Sequence, residues 1–449
     1  MITTDNATTQ YDRILHMIRL ISEKLADPDL VKSICTSEKN RIEHQNDFIW
    51  DEISLASGYP SASILYGRLG TIFPRDEDQF NRGAHHFLLK TQEAMRNAEG
   101  VSLSLWSGLS GIGFAAYLLS NDGKKYRKLI NQINELLVRY GHIHLQKAKE
   151  NIRTGVYFQD YDVISGWSGI GRYLLLFSDI PDVRGLLNDV LEYLILLSND
   201  KMEKGCSIPG WYIPAEHLPS HQQEIYAKGY FNLGLAHGIP GPLALLAIAY
   251  NQNIRVSGQK EAIEQYSKWI LNWKIESDFG VQWPLVVSYG EVNLHEDDNQ
   301  KNREAWCYGS PGVARSLWLA GKALGDISLQ TLATDAFIAI FKKPIENWSI
   351  YSPSICHGYA GLLKLTHQMY LDTGNTELFT CYRNLLEDIL GKFDPSSAFG
   401  FQDVYRDSKT TKYLDYLGIL DGVTGIAMTL LDAIAPQKTK DWGMCLLIK

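Results

Sequence analysis

The sequence predicts an all-α protein, an α/α toroid (barrel) of seven inner and seven outer helices with a small inserted β-containing extension. Three observations predict it. A short phrase built on glycine-x-x-glycine recurs seven times. Each phrase opens an apolar run with helical spacing, and a more amphipathic helical run follows before the next phrase. A helix that is apolar nearly all round is a buried one, so seven of them fit inside a ring of amphipathic partners. An open solenoid of the same pairs is the structural alternative.

Taken in order, residues 1–50 read as helices that cap the ring or complete its last outer pair. The phrases are ASGYPS at Gly58, WSGLSG at Gly108, ISGWSG at Gly166, AHGIPG at Gly238, CYGSPG at Gly309, CHGYAG at Gly358 and LDGVTG at Gly422. The first has Ser61 where the others have a second glycine. Inner helices follow as IGFAAYLLS after Gly111, PLALLAIAY after Gly241 and IAMTLLDAI after Gly425. Outer helices read as KLINQINELLVRYGHIHL from Lys128 and LFTCYRNLLEDILGKF from Leu378. The steps from Gly166 to Gly238 and from Gly238 to Gly309 are the longest. Their excess falls at about 205–231 and 277–302, where β-branched and aromatic residues lie between Gly, Pro and Asp, as in strands. These excursions are expected to form one joint β-containing piece on a single toroid domain spanning 1–449.

Composition narrows the function. The 449 residues are 45% hydrophobic and 21% charged, with a formal net charge of −8 and both signs dispersed. That balance argues against a nucleic-acid partner. No apolar stretch reaches membrane-span length, and the N-terminal MITTDNATTQYDR has no apolar signal segment. Six cysteines in so long a chain are not a disulfide framework, so the expected compartment is the cytoplasm and the expected thiols are free or metal-bound.

The phrases also align chemistry. The residue before each first glycine is Ser57, Ser107, Ser165, His237, Tyr308, His357 and Asp421. One position earlier stand Ala56, Trp106, Ile164, Ala236, Cys307, Cys356 and Leu420. Equivalent positions in a ring face one centre, so Cys307, Cys356 and His357 are expected to converge. Two thiolates and an imidazole suit one zinc ion, and three protein ligands leave a fourth position for water or a substrate thiolate. A cysteine is otherwise a small buried apolar residue. Asp162 lies four residues before its phrase glycine and reads as a rim carboxylate or an N-cap. His237 reads as a general acid or base, or as a core histidine bonded to a carbonyl. Arg303 reads as an anion-stabilising cation or a surface ion-pair partner. Tyr308 falls at the same rim. Asp421, with no cysteine beside it, reads as a capping residue.

WCYGSPG, CHGYAG, AHGIPG and YDVISGWSG together resemble the lanthionine synthetase C family, the lantibiotic cyclases, over nearly the whole chain. The length resembles the stand-alone cyclases of the nisin and subtilin type. The resemblance implies an SH2-like β extension on the barrel and one zinc ion held by Cys307, Cys356 and His357. It implies addition of peptide cysteine thiols to dehydroalanine or dehydrobutyrine, closing lanthionine and methyllanthionine rings. His237, Asp162, Arg303 and Tyr308 match the remaining active-site positions. The implied substrate is a dehydrated precursor peptide with its leader. A dehydratase and an export transporter are implied partners, the latter bringing the chain to the membrane periphery. Two competing readings follow the same scaffold. Another toroid enzyme, a glycosidase or a prenyltransferase, needs paired carboxylates or a second subunit. A non-catalytic zinc-bearing scaffold for peptide or glutathione needs no proton donor beside the metal.

Overall fold

Glycine opens six of the seven apolar helices. Gly58, Gly108, Gly166, Gly309, Gly358 and Gly422 are their N-caps, and Ile239 caps the fourth. The computed structural model describes residues 4–42, 49–203, 205–289, 303–406, 410–436 and 440–449. Its inner helices are Tyr59–Ile72, Leu109–Leu119, Trp167–Leu174, Pro240–Asn251, Ser310–Leu324, Tyr359–Thr373 and Val423–Ile434. Every residue from Pro240 to Ala249 and from Ser310 to Gly321 is buried. Burying each Leu or Ile there contributes roughly 1.5–3 kcal/mol relative to exposure. Six outer helices alternate with them, at Glu77–Asn97, Arg127–Thr154, Pro181–Ser198, Gln259–Asn272, Ile327–Lys342 and Thr376–Leu390. The seventh outer helix is N-terminal, Thr4–Lys24, which packs on Val423–Ile434. That last inner helix also packs on the first, Tyr59–Ile72, so the ring closes.

Backbone hydrogen bonds tie successive phrases together at the rim. The N–H of Ala56 donates to Trp106 O, Ala236 to Cys307 O, Cys307 to Cys356 O, Cys356 to Leu420 O, and Leu420 back to Ala56 O. Each link joins the residue two before one phrase glycine to its equivalent in the next phrase. Val163, one residue earlier in its phrase, donates to Ala236 O. The shared position inferred from sequence is therefore a physical one. These turns satisfy each other's buried polar groups, which fixes their spacing to hydrogen-bond length.

The lumen is filled by the C-terminal segment. Trp442, Cys445, Leu446, Leu447 and Ile448 are buried. Trp306 Nε1 donates to Leu446 O at 3.0 Å, and Arg315 Nε donates to Ile448 O at 2.7 Å. Lys364, on another inner helix, pairs with Asp432 and Asp441. The buried charges on inner helices are thus spent on holding this segment.

The strands are short. β1 (Asp200–Glu203) pairs with β2 (Cys206–Pro209), β3 (Tyr230–Asn232) with β6 (Val286–Ser288), β4 (Ile275–Ser277) with β5 (Gly280–Gln282), and β7 (Asp403–Arg406) with β8 (Thr411–Leu414), all antiparallel. The β3–β6 pair joins the two excursions, as expected of a joint piece. Among the described residues the strands form two-stranded pairs, and an isolated bridge between Ile213 and Tyr230 adds to the β3–β6 pair, a small β extension as expected. The second excursion continues over 290–302, outside the described residues. The β7–β8 hairpin was not expected. It lengthens the step from Gly358 to Gly422 and carries a residue that reaches the site.

Candidate metal and acid–base site

Cys307 and Cys356 are brought together by the rim bonds, and their thiols hydrogen-bond to one another. A shared proton between the buried Cys307 thiol and the partly buried Cys356 thiol makes one far easier to ionise than the other. Cys307 takes the lower value, about 6: the bond from Cys356 outweighs burial, and the charges of Arg303, His357 and His237 add to it. Cys356 is correspondingly raised by the Cys307 bond, by burial and by the Cys307 charge. The turn that presents Cys307 depends on Gly309. Its φ is +101°, and a Cβ there would lie 1.6 Å from Arg303 O.

His357 is held from both ring nitrogens. Nε2 lies 3.2 Å from Asp403 Oδ1 and Nδ1 lies 3.3 Å from Asp421 Oδ1. Asp403 is buried on β7 and also accepts from Ser352 Oγ. Burial works against charge on His357, but the Asp403 charge and hydrogen bond and the Asp421 charge outweigh it, placing the imidazole at about 9. Burial raises Asp421 to about 6 despite the His357 charge.

Donor atoms of Cys356, His357 and Asp421 all lie within 4.8 Å of one another. Cys307 lies outside that mutually close set and meets it through the Cys356 thiol. Two thiols and an imidazole in a partly buried cluster fit zinc, because soft sulfur donors select against magnesium and calcium. Asp421 corrects a sequence expectation. The helix Val423–Ile434 has Gly422 as its N-cap with no side-chain cap bond, so Asp421 does not cap it and faces His357 instead.

The acid–base pair stands at the same rim. His237 Nδ1 lies 2.6 Å from Asp162 Oδ2. Asp162 is fully buried, and its other oxygen accepts from the backbone N–H of Ser165 and of Gly166, each at 2.7 Å. It therefore does both things the sequence allowed: it pins its turn and faces the histidine. Burial pulls the His237 pKa down, but the hydrogen bond and charge of Asp162 outweigh it, and the net shift is upward from 6.5. The ring packs edge-on against Phe158, with centroids 5.0 Å apart, and lies 6.2 Å from the Tyr308 ring. With Nδ1 committed to the carboxylate, Nε2 is the nitrogen free to meet a ligand.

Tyr308 OH accepts from Asn232 Nδ2 at 3.0 Å. Burial pushes its phenol well above the ordinary range, so it stays neutral with its own O–H available to donate. The ring fits because Gly234 has no Cβ, which would lie 2.5 Å from Tyr308 Cδ1. Arg303 is exposed, and no hydrogen bond or ion pair holds its side chain among the described residues. Among the described residues it meets neither Asp162 nor a surface acid. Its charge does favour the Cys307 thiolate.

The structure thus brings together Cys307, Cys356 and His357 on one side of the rim and His237, Asp162 and Tyr308 beside them. Sequence reasoning missed Asp403 and Asn232, which lie outside the phrase positions.

Comparison with known proteins agrees with this architecture. Residues 49–447 match the family described as lanthionine synthetase C-like protein. The chain is 27% identical over 402 residues to the nisin biosynthesis protein NisC of Lactococcus lactis subsp. lactis, covering 85% of this chain and 90% of that protein. A solved structure of nisin cyclase superposes with a TM-score of 0.75 at 22% identity, covering 90% of this chain and 93% of that one. The superposition shows the shared toroid fold.

Proposed function

Since the chain belongs to the lanthionine synthetase C-like family, we propose that it is a zinc-dependent peptide cyclase. It adds cysteine thiols of a dehydrated lantibiotic precursor to dehydroalanine or dehydrobutyrine, closing lanthionine and methyllanthionine rings. One observation carries this reading: a cluster of two thiols and an imidazole shares its rim with a carboxylate-bound histidine. A scaffold needs the first of these at most. A proton donor beside it belongs to a reaction.

Cys307, Cys356 and His357 are the residues that would hold the ion. When bound there, zinc lowers a thiol's pKa from about 8.5, so the nucleophile forms at neutral pH. The residues of the chain do the rest. Asp403 fixes the ring of His357 through Nε2, leaving Nδ1 toward the thiols. Attack at Cβ of the dehydro residue forms the S–C bond and moves the π pair to an enolate, which needs one proton at Cα. His237 supplies it from Nε2, and Asp162 holds the imidazole in that orientation and keeps it charged. Arg303 and the Tyr308 O–H face developing negative charge on the enolate oxygen. Residues 1–449 then act as one catalytic domain. The substrate's alkenes require a dehydrating enzyme acting before this one, and an exporter would take the product. We assign this work to the cytoplasm. No described helix is long and apolar enough to cross a membrane.

Metal content tests the centre. The purified chain should hold one zinc per molecule, and Cys307→Ala, Cys356→Ala and His357→Ala should each lose most of it. Full occupancy in Cys356→Ala would remove the basis of the proposal.

A further inference from the structure

The last four phrases put titratable side chains before their first glycine, and the first three put serine there: Ser57, Ser107 and Ser165. The chemistry above leaves that serine side of the rim unused. Ser107 and Ser165 line a cleft of about 740 Å³. It opens beside the turn of Asp162, since Gly166, whose N–H donates to that carboxylate, is part of its wall. A second cleft of about 470 Å³ shares Met95 and Leu136 with the first, so the two form one groove.

One wall of the groove is a single face of the outer helix Arg127–Thr154. Leu129, Ile133, Leu136, Tyr140, His144 and Lys147 follow one another along it at steps of three or four residues. From Leu129 to Lys147 the helix rises about 27 Å. That length accommodates about eight residues of extended peptide.

The chain has a formal charge of −8, yet the groove is basic. Arg96, Arg139 and Lys147 line it, all exposed, and no hydrogen bond or ion pair holds them among the described residues. Two carboxylates also line it. Asp160 is taken up by Asn151 Nδ2 at 3.1 Å and by the Tyr157 N–H at 2.9 Å, which leaves Glu135 alone against three cations. Between the cations the lining is apolar: Met95, Leu129 and Leu136 are half-buried, and the Tyr140 ring is 43% exposed. Charge and shape together suit an extended peptide with carboxylates among apolar side chains.

We propose that this groove holds the part of the precursor peptide outside the ring being closed, a stretch of about eight residues bearing carboxylates among apolar side chains. The inference rests on the peptide-cyclase reading above and deepens it. The reacting cysteine and its alkene occupy the thiol–imidazole side of the rim. The chain beyond them crosses the rim, and the groove begins on its serine side. There the Ser107 and Ser165 hydroxyls offer neutral hydrogen bonds to peptide backbone. A segment held in the groove raises the effective concentration of the nearby cysteines at the centre.

The test measures binding of a fluorescently labelled dehydrated lantibiotic precursor to the full zinc-loaded chain, by anisotropy at low and high salt. Arg96→Glu, Arg139→Glu and Lys147→Glu combined should weaken binding by about 10-fold or more at low salt and flatten its salt dependence. Lys268→Glu, Lys342→Glu and Arg383→Glu combined lower the net charge equally from exposed positions on three other outer helices, and should change affinity by less than about 2-fold. Tyr140→Ala, which leaves the charge alone, should weaken binding about 5-fold. Zinc content should match the wild type in every variant. Wild-type affinity in the groove triple variant would overturn the inference and leave this face to a protein partner. Equal losses in the two triple variants, or no binding by the wild type, would overturn it too. Groove-dependent binding by a wild type that closes no ring would overturn the cyclase reading alone.

Discussion

Asp162→Asn separates the two jobs of one buried carboxylate. Oδ1 accepts from two backbone N–H groups, and Oδ2 faces His237 Nδ1 at 2.6 Å. The amide variant keeps an acceptor for the turn and removes the charge beside the imidazole. A hydrogen bond to a charged group contributes about 1.5–3 kcal/mol, and the amide variant loses that charge. Burial, the largest influence on His237 and the one that lowers its pKa, then prevails. In the wild type the Asp162 hydrogen bond and charge raise the folded pKa against burial, so activity falls as pH rises through the raised value. In Asp162→Asn the fall should move to lower pH. At pH 7.5 the variant should lose up to roughly 100-fold in kcat/KM, the lower end of what general acid catalysis is worth. The assay is ring closure on a dehydrated peptide, followed by alkylating the remaining thiols and weighing the products. NMR titration of His237 reads the shift directly. An unchanged His237 titration in Asp162→Asn would refute the reasoning, whatever the rate does. Asp162→Ala should add instability of about 2 kcal/mol in chemical denaturation, because two buried donors lose their acceptor.

Three further outcomes are expected. Gly309→Ala forces φ = +101° on a residue with a Cβ 1.6 Å from Arg303 O, and should cost about 2 kcal/mol or more of stability and reduce zinc content by displacing Cys307. Arg315→Met removes the donors to Ile448 O and to Asp372, and should lower unfolding free energy by about 3 kcal/mol in urea, releasing the C-terminal segment to protease. Arg303→Gln should leave thermal stability unchanged, since its side chain has no described partner, while slowing ring closure about 10-fold through the lost cation.

The ring was legible because its signal is local and repeated. Each glycine phrase marks a turn, and each apolar run marks a buried helix, so seven of both give the toroid without any long-range information. Cys307, Cys356, His357 and His237 were legible for the same reason: they share positions within the phrase. Asp403 was not, because it arrives on a hairpin inserted between the sixth and seventh phrases and has no counterpart elsewhere. Asn232 precedes its phrase glycine by too many residues to be seen as part of it. Asp421 sat in plain view, yet its role depends on a backbone bond from Cys356 to Leu420 that no sequence pattern announces. The C-terminal filling of the lumen was equally silent, since a short segment with Trp442, Leu446 and Ile448 reads like any other buried turn.

The central claim is that this rim closes thioether rings using its thiol–imidazole centre. The most direct measurement incubates the zinc-loaded chain, and its Cys356→Ala variant, with a dehydrated lantibiotic precursor bearing its leader. Free thiols are then counted by alkylation and mass spectrometry. The account predicts stepwise loss of alkylatable cysteines at unchanged peptide mass with the wild type, and only the spontaneous rate with the variant. Equal ring closure by both proteins, or none by the zinc-loaded wild type, would contradict it.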